Sequence, residues 1–357
     1  MRKLLVALDR DDQLLAGEVR AALLRDDDYA TPGKPPCDWD DRAAREALVD
    51  ALVNDCNAAL EVLGEHELQG APQVAAELVA LVAGQDVAED PDGIFRIVRG
   101  VAKDRVISTV DVEARHGHKS ANRHFDGYKA NIAIDPDSEL IAEIVATPAN
   151  TPDRDAAVKL LATGGEEDDK PVILGDSAYA DGATRTALAE KGFTVMAKCP
   201  PLRNATGGFT KERFAIDLEQ RSVTCPAGQV AIITPRSDGS GIARFAPHCA
   251  SCALRSACTK SRAGRSVSIN QHEAILQIAR AEQRDPVWLA TYRANRPLVE
   301  RKIAHLVRRG WGGRRARTRG LRRVATDLDT RASAINWARL ATLGLSFGPT
   351  GWTLAGG

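Results

Sequence analysis

The stretch "PVILGDSAYADG", residues 171 to 182, decides the fold prediction. Its apolar run "VIL" is typical of a buried strand, and the chain then turns through Gly175 into Asp176. Open α/β sheets bind ligands at the carboxyl ends of their strands, so this carboxylate lies where chemistry is expected. The alternative interpretation of Asp176 is a turn or helix N-cap residue.

Strand and helix patterns alternate on both sides of this stretch. Apolar alternation predicts three strands joined by turns at 104–112 ("DRVISTVDV"), 128–135 ("YKANIAID") and 140–150 ("LIAEIVATPAN"). A helix at 153–164, the opening strand, a helix at 182–192 and a strand at 193–198 follow. The order β-β-β-α-β-α-β predicts an α/β fold with a mixed sheet of the ribonuclease H-like type.

The remaining segments are helical or rich in cysteine. Apolar residues recur at helical spacing in residues 1–65 and 73–85 and again from residue 272, whereas residues 201–270 are rich in Gly, Pro and Cys. We therefore expect an N-terminal helical segment and a Cys-bearing insertion around the ribonuclease H-like core. The expected boundaries are 1–100 for the acidic helical segment, 101–200 for the first part of the core, 201–270 for the insertion, 271–345 for the C-terminal basic helices that complete the core, and 346–357 for a tail.

Composition excludes several classes of protein. The 357 residues carry 48 basic and 48 acidic side chains, so net charge alone indicates no partner. No apolar run reaches the length of a membrane span, and the N-terminus lacks a signal-peptide pattern. We expect a cytoplasmic protein without a membrane partner, whose seven cysteines are thiols or metal ligands.

Two further acids are candidates for the same site as Asp176. Asp111 ends the first predicted strand, which neighbours the fourth in a ribonuclease H-like sheet, so the two aspartates would lie close together. Close carboxylates require a cation, and Mg²⁺ prefers such oxygens; the alternative for Asp111 is a salt bridge to Arg115. Glu300 lies on a predicted helix four residues after Arg296, where a surface ion pair is the alternative.

A basic block follows Glu300. Residues 301–323 contain ten Lys or Arg residues and no acid, and "RRGWGGRRARTRG" adds glycines and Trp311. Unneutralised arginines bind phosphates and an exposed tryptophan can stack on bases, so the block indicates a nucleic-acid partner. The residues expected to bind DNA are Arg296, Arg308, Arg309, Arg314, Arg315, Arg317 and Arg319.

An ordered set of motifs resembles a known family. "GYKANIAID", "TPANTPDRDAA", "LGDSAYADG", "VTCPAG", "CASCALRSAC", "RPLVERKIAHL" and "NWARLATLGL" occur in this order. Together they resemble the DDE transposases of bacterial insertion sequences, in the branch with a cysteine-containing insertion before the catalytic glutamate. The resemblance implies a ribonuclease H-like fold and two Mg²⁺ or Mn²⁺ ions held by Asp, Asp and Glu. It also implies hydrolysis at transposon ends, strand transfer to target DNA, and a homodimer when the ends are synapsed.

The resemblance assigns roles to single residues. Asp176 matches the second aspartate and Glu300 the glutamate, and Arg296 keeps its spacing, whereas Tyr292 lies one residue too far upstream. The later basic position falls on Arg308 instead of the preceding residue. For the first aspartate, two hypotheses remain: Asp111 serves, giving a catalytic and Mg²⁺-binding set of Asp111, Asp176 and Glu300, or the chain is N-terminally truncated and is an inactive DNA-binding remnant. A nuclease on the same fold, which cleaves without joining strands, is a third hypothesis.

Four cysteines form a separate candidate site. Cys249 and Cys252 have the C-x2-C spacing of half a zinc site, and Cys258 and Cys225 lie nearby in the sequence. The second half is irregular, so a structural Zn²⁺ and a cluster of reduced or iron-sulfur-bound thiols both remain possible. His248 could replace one ligand.

Overall fold

The computed structural model is a mixture of helices and small sheets. It describes residues 1–27, 29–120, 122–161, 170–204, 207–308, 310, 313–349 and 351–355. The chain divides into two compact units. The first comprises Met1–Tyr128, Pro148–Asn150 and Arg319–Leu321, and the second comprises Lys129–Thr147, Thr151–Thr318 and Arg322–Gly357. The domain boundaries expected from the sequence remain predictions.

The first unit begins with a small helical bundle. Its helices are α1 (Arg2–Asp11), α2 (Gln13–Ala22), α3 (Arg42–Gly64) and α4 (Gly70–Ala83). Asp12 caps α2 by accepting a hydrogen bond from the backbone N–H of Leu15 at 3.0 Å, and Asp41 caps α3 in the same way. Leu4, Leu8 and Val19 are fully buried in the core of the bundle. The helical prediction for the N-terminal segment is confirmed.

Short antiparallel strands follow the bundle. They are β1 (Val87–Glu89), β2 (Phe95–Ile97), β3 (Arg115–Ser120), β4 (Arg123–Ile134) and β5 (Ile141–Pro148). The first two form a hairpin, and the other three form a sheet in the order β3-β4-β5. In the register of β3 against β4, Arg115 lies opposite Gly127 and His116 opposite Asp126. The predicted second and third strands are confirmed as β4 and β5.

The predicted first strand is wrong. Residues 104–112 form no strand: 105–108 are irregular and 109–112 are bends and a turn, and Val110 and Val112 are exposed by 55% and 44%. The hydroxyl of Ser108 accepts hydrogen bonds from the backbone N–H groups of Val110 and Asp111 at 3.2 and 3.1 Å. A serine side chain that binds nearby backbone offers an alternative to a strand ladder, and the first strand of this sheet is therefore β3, three residues later.

The opening stretch forms part of a second, parallel sheet. The elements here are α5 (Asp153–Leu160), β6 (Val172–Gly175), α6 (Gly182–Glu190) and β7 (Thr194–Ala197). β6 pairs in parallel with β7, with Val172 opposite Thr194. The sequence predicts one mixed sheet, but within the described ranges the parallel pair shares no strand ladder with β3-β4-β5. The segment predicted to lie beside β6 forms no strand, and β7 is the one partner of β6 among the described residues.

The cysteine-bearing segment builds its own antiparallel sheet. Its elements are β8 (Ala215–Asp217), β9 (Ser222–Thr224), β10 (Val230–Pro235), β11 (Gly241–Arg244), α7 (Ala246–Cys249), α8 (Arg255–Cys258) and β12 (Ser266–Ile269). The sheet order is β12-β11-β10-β9-β8. Phe214, Val223, Phe245 and Val267 are buried between its face and the two short helices. The segment is thus a five-stranded sheet with its own core.

Long helices and a hairpin end the chain. They are α9 (Glu273–Glu282), α10 (Pro286–Leu306), α11 (Leu321–Thr342), β13 (Ser346–Gly348) and β14 (Gly351–Thr353). Asp285 caps α10 by accepting from the N–H of Val287 at 2.9 Å, and Pro286 occupies the first position of the helix. Leu306 packs with Ile335 and the strand residue Ile141 in one apolar cluster. The late helices are confirmed, and the predicted tail contains the final hairpin.

Candidate functional site

Asp176 lies at the carboxyl end of β6, as the opening stretch predicts. Its carboxylate is 47% exposed and accepts a hydrogen bond from the N–H of Ala178 at 2.8 Å, so it also caps the short turn that follows. The preceding Gly175 is required by close packing, because a Cβ there would lie 2.8 Å from the ring of Tyr179. The capping interpretation of Asp176 is confirmed. A capping carboxylate retains free oxygen lone pairs, so its role in the chemistry of the site stays a prediction.

Helix α10 brings a stripe of three side chains to this strand end. Tyr292, Arg296 and Glu300 are spaced by four residues and share one helix face. The Tyr292 hydroxyl donates to the carbonyl oxygen of Gly175 at 3.1 Å. Pro297 lies inside the same helix, between the arginine and the glutamate. Tyr292 thus contacts the site despite its irregular sequence spacing.

One guanidinium joins the two acids. An Nη atom of Arg296 lies 2.8 Å from Glu300 Oε1 and 3.7 Å from Asp176 Oδ2. Its other Nη is buried and has no hydrogen-bond partner among the described residues. The structure therefore brings Asp176 and Glu300 to a single positive charge, and the surface ion pair considered for Glu300 is part of this arrangement.

Three side chains that the sequence did not single out are linked to Asp176 through Tyr179. Burial raises the pKa of Tyr179 to about 12, and the negative charges of Asp153 and Asp176 add to the shift. Lys129 lies 2.8 Å from Asp153 and donates to the Thr151 carbonyl at 2.9 Å. Asp153 and Tyr179 belong to the quoted motifs "TPANTPDRDAA" and "LGDSAYADG", which was the available signal.

Asp111 lies in the first unit, in the bends before β3. The Tyr128 hydroxyl donates to its carboxylate at 2.5 Å, and the N–H of Gly320 donates at 3.2 Å. Burial and the negative charge of Asp111 hold the pKa of Tyr128 above its ordinary value. The predicted partner Arg115 instead pairs with Asp104 at 2.8 Å. Asp111 is thus held by a phenol and a backbone amide, and its predicted position on a strand is wrong because that strand is not formed.

The four predicted zinc ligands line one small cavity. Cys225, Cys249, Cys252 and Cys258 all border a space of about 20 Å³, together with His248. All four are free thiols. Burial raises the pKa of the Cys258 thiol, opposed by the charge of Arg265 and reinforced by the neighbouring cysteines. In the part of the chain that the structure describes, no group of three or more His, Cys, Asp or Glu side chains is arranged to hold a metal ion.

The basic block is largely exposed. Arg314, Arg315 and Arg319 are exposed and form no ion pair with any described residue, whereas Arg317 pairs with Asp327. A Cβ at Gly313 would lie 2.4 Å from the Leu306 carbonyl oxygen, so this glycine lets the loop approach the end of α10. Arg309 and Trp311 lie outside the described residues. Three of the seven expected DNA-binding arginines, Arg314, Arg315 and Arg319, are thus available to an anionic partner.

Comparison with protein families shows where the chain belongs. A family model described as "Transposase DDE domain" matches residues 102–337, about two thirds of the chain, which includes all three predicted acids and the four cysteines. Comparisons with curated proteins and with solved structures gave no match. No helix within the described ranges has both the length and the apolar content to cross a membrane.

Proposed function

Since the chain belongs to the DDE transposase domain family, we propose that it hydrolyses DNA at transposon ends and transfers the resulting 3′-hydroxyl to target DNA. The observation that carries this proposal is the meeting of Asp176 and Glu300 at Arg296, between a strand end and a helix. Both carboxylates are partly exposed, so a phosphodiester can approach them. A transposase acts on DNA, and the exposed arginines of the basic block supply charge for its backbone.

Mg²⁺ or Mn²⁺ is the proposed cofactor, because DDE transposases use divalent metal ions. The donor set fits such an ion, since Asp176 and Glu300 supply the hard oxygens it prefers and already share one positive charge. The chemistry supplied by bound ions is activation of the attacking oxygen and stabilisation of the leaving oxygen at phosphorus. Arg296 holds the two carboxylates in position and offsets one of their two negative charges when no other cation is bound.

Asp111 is the proposed third acid, in an arrangement of the ribonuclease H-like type. In support, it is a partly exposed carboxylate within the family match, and its hydrogen bonds from Tyr128 and Gly320 fix its orientation. Those two donors leave further lone pairs on the carboxylate. We further propose that two chains synapse the transposon ends as a homodimer.

A cleavage and joining assay tests the proposal. Full-length protein, labelled transposon-end DNA and MgCl₂ would be compared for the wild type, Asp176→Asn and Glu300→Gln, with Asp238→Asn as a control on an exposed loop. We expect both site variants to cleave at less than about one hundredth of the wild-type rate while DNA binding persists. Unchanged cleavage in either variant contradicts the proposal. Cleavage by the wild type without joining supports the nuclease hypothesis, and binding without cleavage supports the inactive remnant.

We also propose a structural Zn²⁺ at the cysteine cavity, since four thiols are a usual zinc donor set and these four would have to move closer together around the ion. Metal analysis of the purified wild type and of Cys252→Ser tests it. We expect about one zinc per wild-type chain and its loss in the variant, with a lower melting temperature. A zinc-free wild type that melts at the same temperature with and without added zinc contradicts this site.

A further inference from the structure

A second cavity lies on α10, on the side away from the acid pair. Its volume is about 450 Å³. At 100° per residue, Lys302 and Leu306 point about 120 to 160° away from Glu300 around the helix axis. The lining residues are Glu139, Lys302, His305, Leu306, Arg308, Arg317, Arg331, Ala334, Ile335, Ala338, Arg339 and Thr342. The cavity is therefore separate from the site around Asp176.

Positive charge dominates its rim. Five Lys or Arg side chains line the cavity, against Glu139 as the one carboxylate in its lining. Glu139 already forms ion pairs with Lys302 and Arg339, each at 3.5 Å. It also pairs at 3.0 Å with Arg301, which is not part of the lining. Burial would raise the pKa of Glu139, but the hydrogen bond from Arg301 and the neighbouring charges hold it below its ordinary value.

A second carboxylate, which is not part of the lining, also pairs with two of the rim cations. Asp327 pairs with Arg317 and lies 2.8 Å from Arg331. The Nε of Arg331 is buried and has no hydrogen-bond partner among the described residues. Four of the five rim cations thus share two acids, so this part of the cavity holds an excess of positive charge that an anion would neutralise.

The floor of the cavity is apolar. Leu306 and Ile335 are exposed by only 3% and 9%, and Ala334 and Ala338 of α11 lie beside them on the open side. The volume falls within the range of small-ligand pockets. A cationic rim over an apolar floor suits a ligand that joins a phosphate to a flat, weakly polar ring.

We propose that this cavity binds one nucleoside phosphate unit, with the phosphate against the rim cations and the base over the floor. Two sources share this chemistry: a free nucleotide and a nucleotide of a DNA strand. Binding of a nucleotide in a DNA strand rests on the proposed transposase function, whereas binding of a free nucleotide does not. Binding in this cavity requires both the charge of the rim and the apolar surface of the floor. This requirement distinguishes the cavity from the exposed arginines of the basic block.

Binding measurements on the full-length protein test the proposal. Fluorescently labelled dAMP, a labelled single-stranded oligonucleotide and unlabelled inorganic phosphate as competitor are the probes. Ala338→Phe fills the cavity without changing charge, and Arg308→Glu reverses a rim charge. The matched controls are Ala341→Phe, at an exposed position of α11 outside the lining, and Arg293→Glu, at an exposed position of α10. Circular dichroism checks that each variant is folded.

We expect both cavity variants to weaken nucleotide binding about tenfold and both controls to change it less than about twofold. Tight binding of dAMP indicates a free nucleotide, and binding of the oligonucleotide alone indicates a strand. Equal binding by Ala338→Phe and wild type overturns the proposal, as does phosphate that competes as well as unlabelled dAMP. Asp176→Asn should retain nucleotide binding even where it loses cleavage, so the failure of either proposal is distinguishable from that of the other.

Discussion

Replacing Arg296 by Gln should raise the affinity of the acid pair for a divalent cation. Both carboxylate oxygens lie within 3.7 Å of the same nitrogen, so they are at most about 6.5 Å apart. At that limit two unit charges repel by about 0.6 kcal/mol in water and about 2.6 kcal/mol at an effective dielectric of about 20. Because Asp176 and Glu300 are exposed by 47% and 60%, the value lies near the lower end, at about 1 kcal/mol.

A divalent ion bound to the two carboxylates relieves this repulsion. In the variant, the ion also no longer competes with the Arg296 guanidinium for them. Mn²⁺ affinity should therefore rise about fivefold in Arg296→Gln, measured by calorimetry on the full-length protein without DNA. Arg293→Gln, at an exposed position of α10, is the control and should bind as the wild type does. An unchanged affinity in Arg296→Gln, or an increase that persists when Asp176→Asn is added, refutes the idea that Arg296 occupies the place of a cation.

Three further predictions concern the second unit. Glu273 is buried and pairs with two cations, so Glu273→Gln should lower the free energy of unfolding by about 3 kcal/mol in urea, while exposed Glu282→Gln on the same helix changes it by less than about 0.5 kcal/mol. Gly175→Ala should cost about 1 to 3 kcal/mol because its Cβ overlaps the Tyr179 ring, whereas Gly64→Ala, with open space around it, should cost nothing measurable. The pKa of Tyr179 is raised to about 12, so its neutral form stabilises the fold fully below about pH 10 and this contribution is lost as the pH rises through 12. Absorbance at 295 nm should show a late tyrosinate step that Tyr179→Phe removes; ionisation of this residue near pH 10 would contradict the burial argument.

Periodicity predicted the helices and the strands that surround Asp176 because these segments are long or strongly patterned. The same rule failed at residues 104–112, where the hydroxyl of Ser108 captures backbone amides. Alternating valines fit a strand equally well, so composition could not reveal that choice. Since the position of the first strand decided where Asp111 was placed, one local hydrogen-bond preference altered the predicted geometry of a whole site.

Contacts between side chains from distant segments were predictable only in part. Four-residue spacing places Arg296 beside Glu300, but the approach of this helix face to the end of β6 depends on packing between distant segments. Tyr292 looked misplaced by its spacing, although the same face of the helix carries it to the Gly175 carbonyl. The four cysteines were grouped from their positions in the sequence, and all four line one cavity, but the spacing could not give the size of that cavity.

Pro297 gives α10 an uneven stiffness along its length. It has no N–H for the carbonyl of Arg293, and its ring crowds that carbonyl, so bending costs less here than elsewhere in the helix. The turns before it are fixed to the strand end through Tyr292, whereas Glu300 lies almost one turn beyond it. The separation of the two carboxylates can therefore adjust while the helix remains anchored at Tyr292.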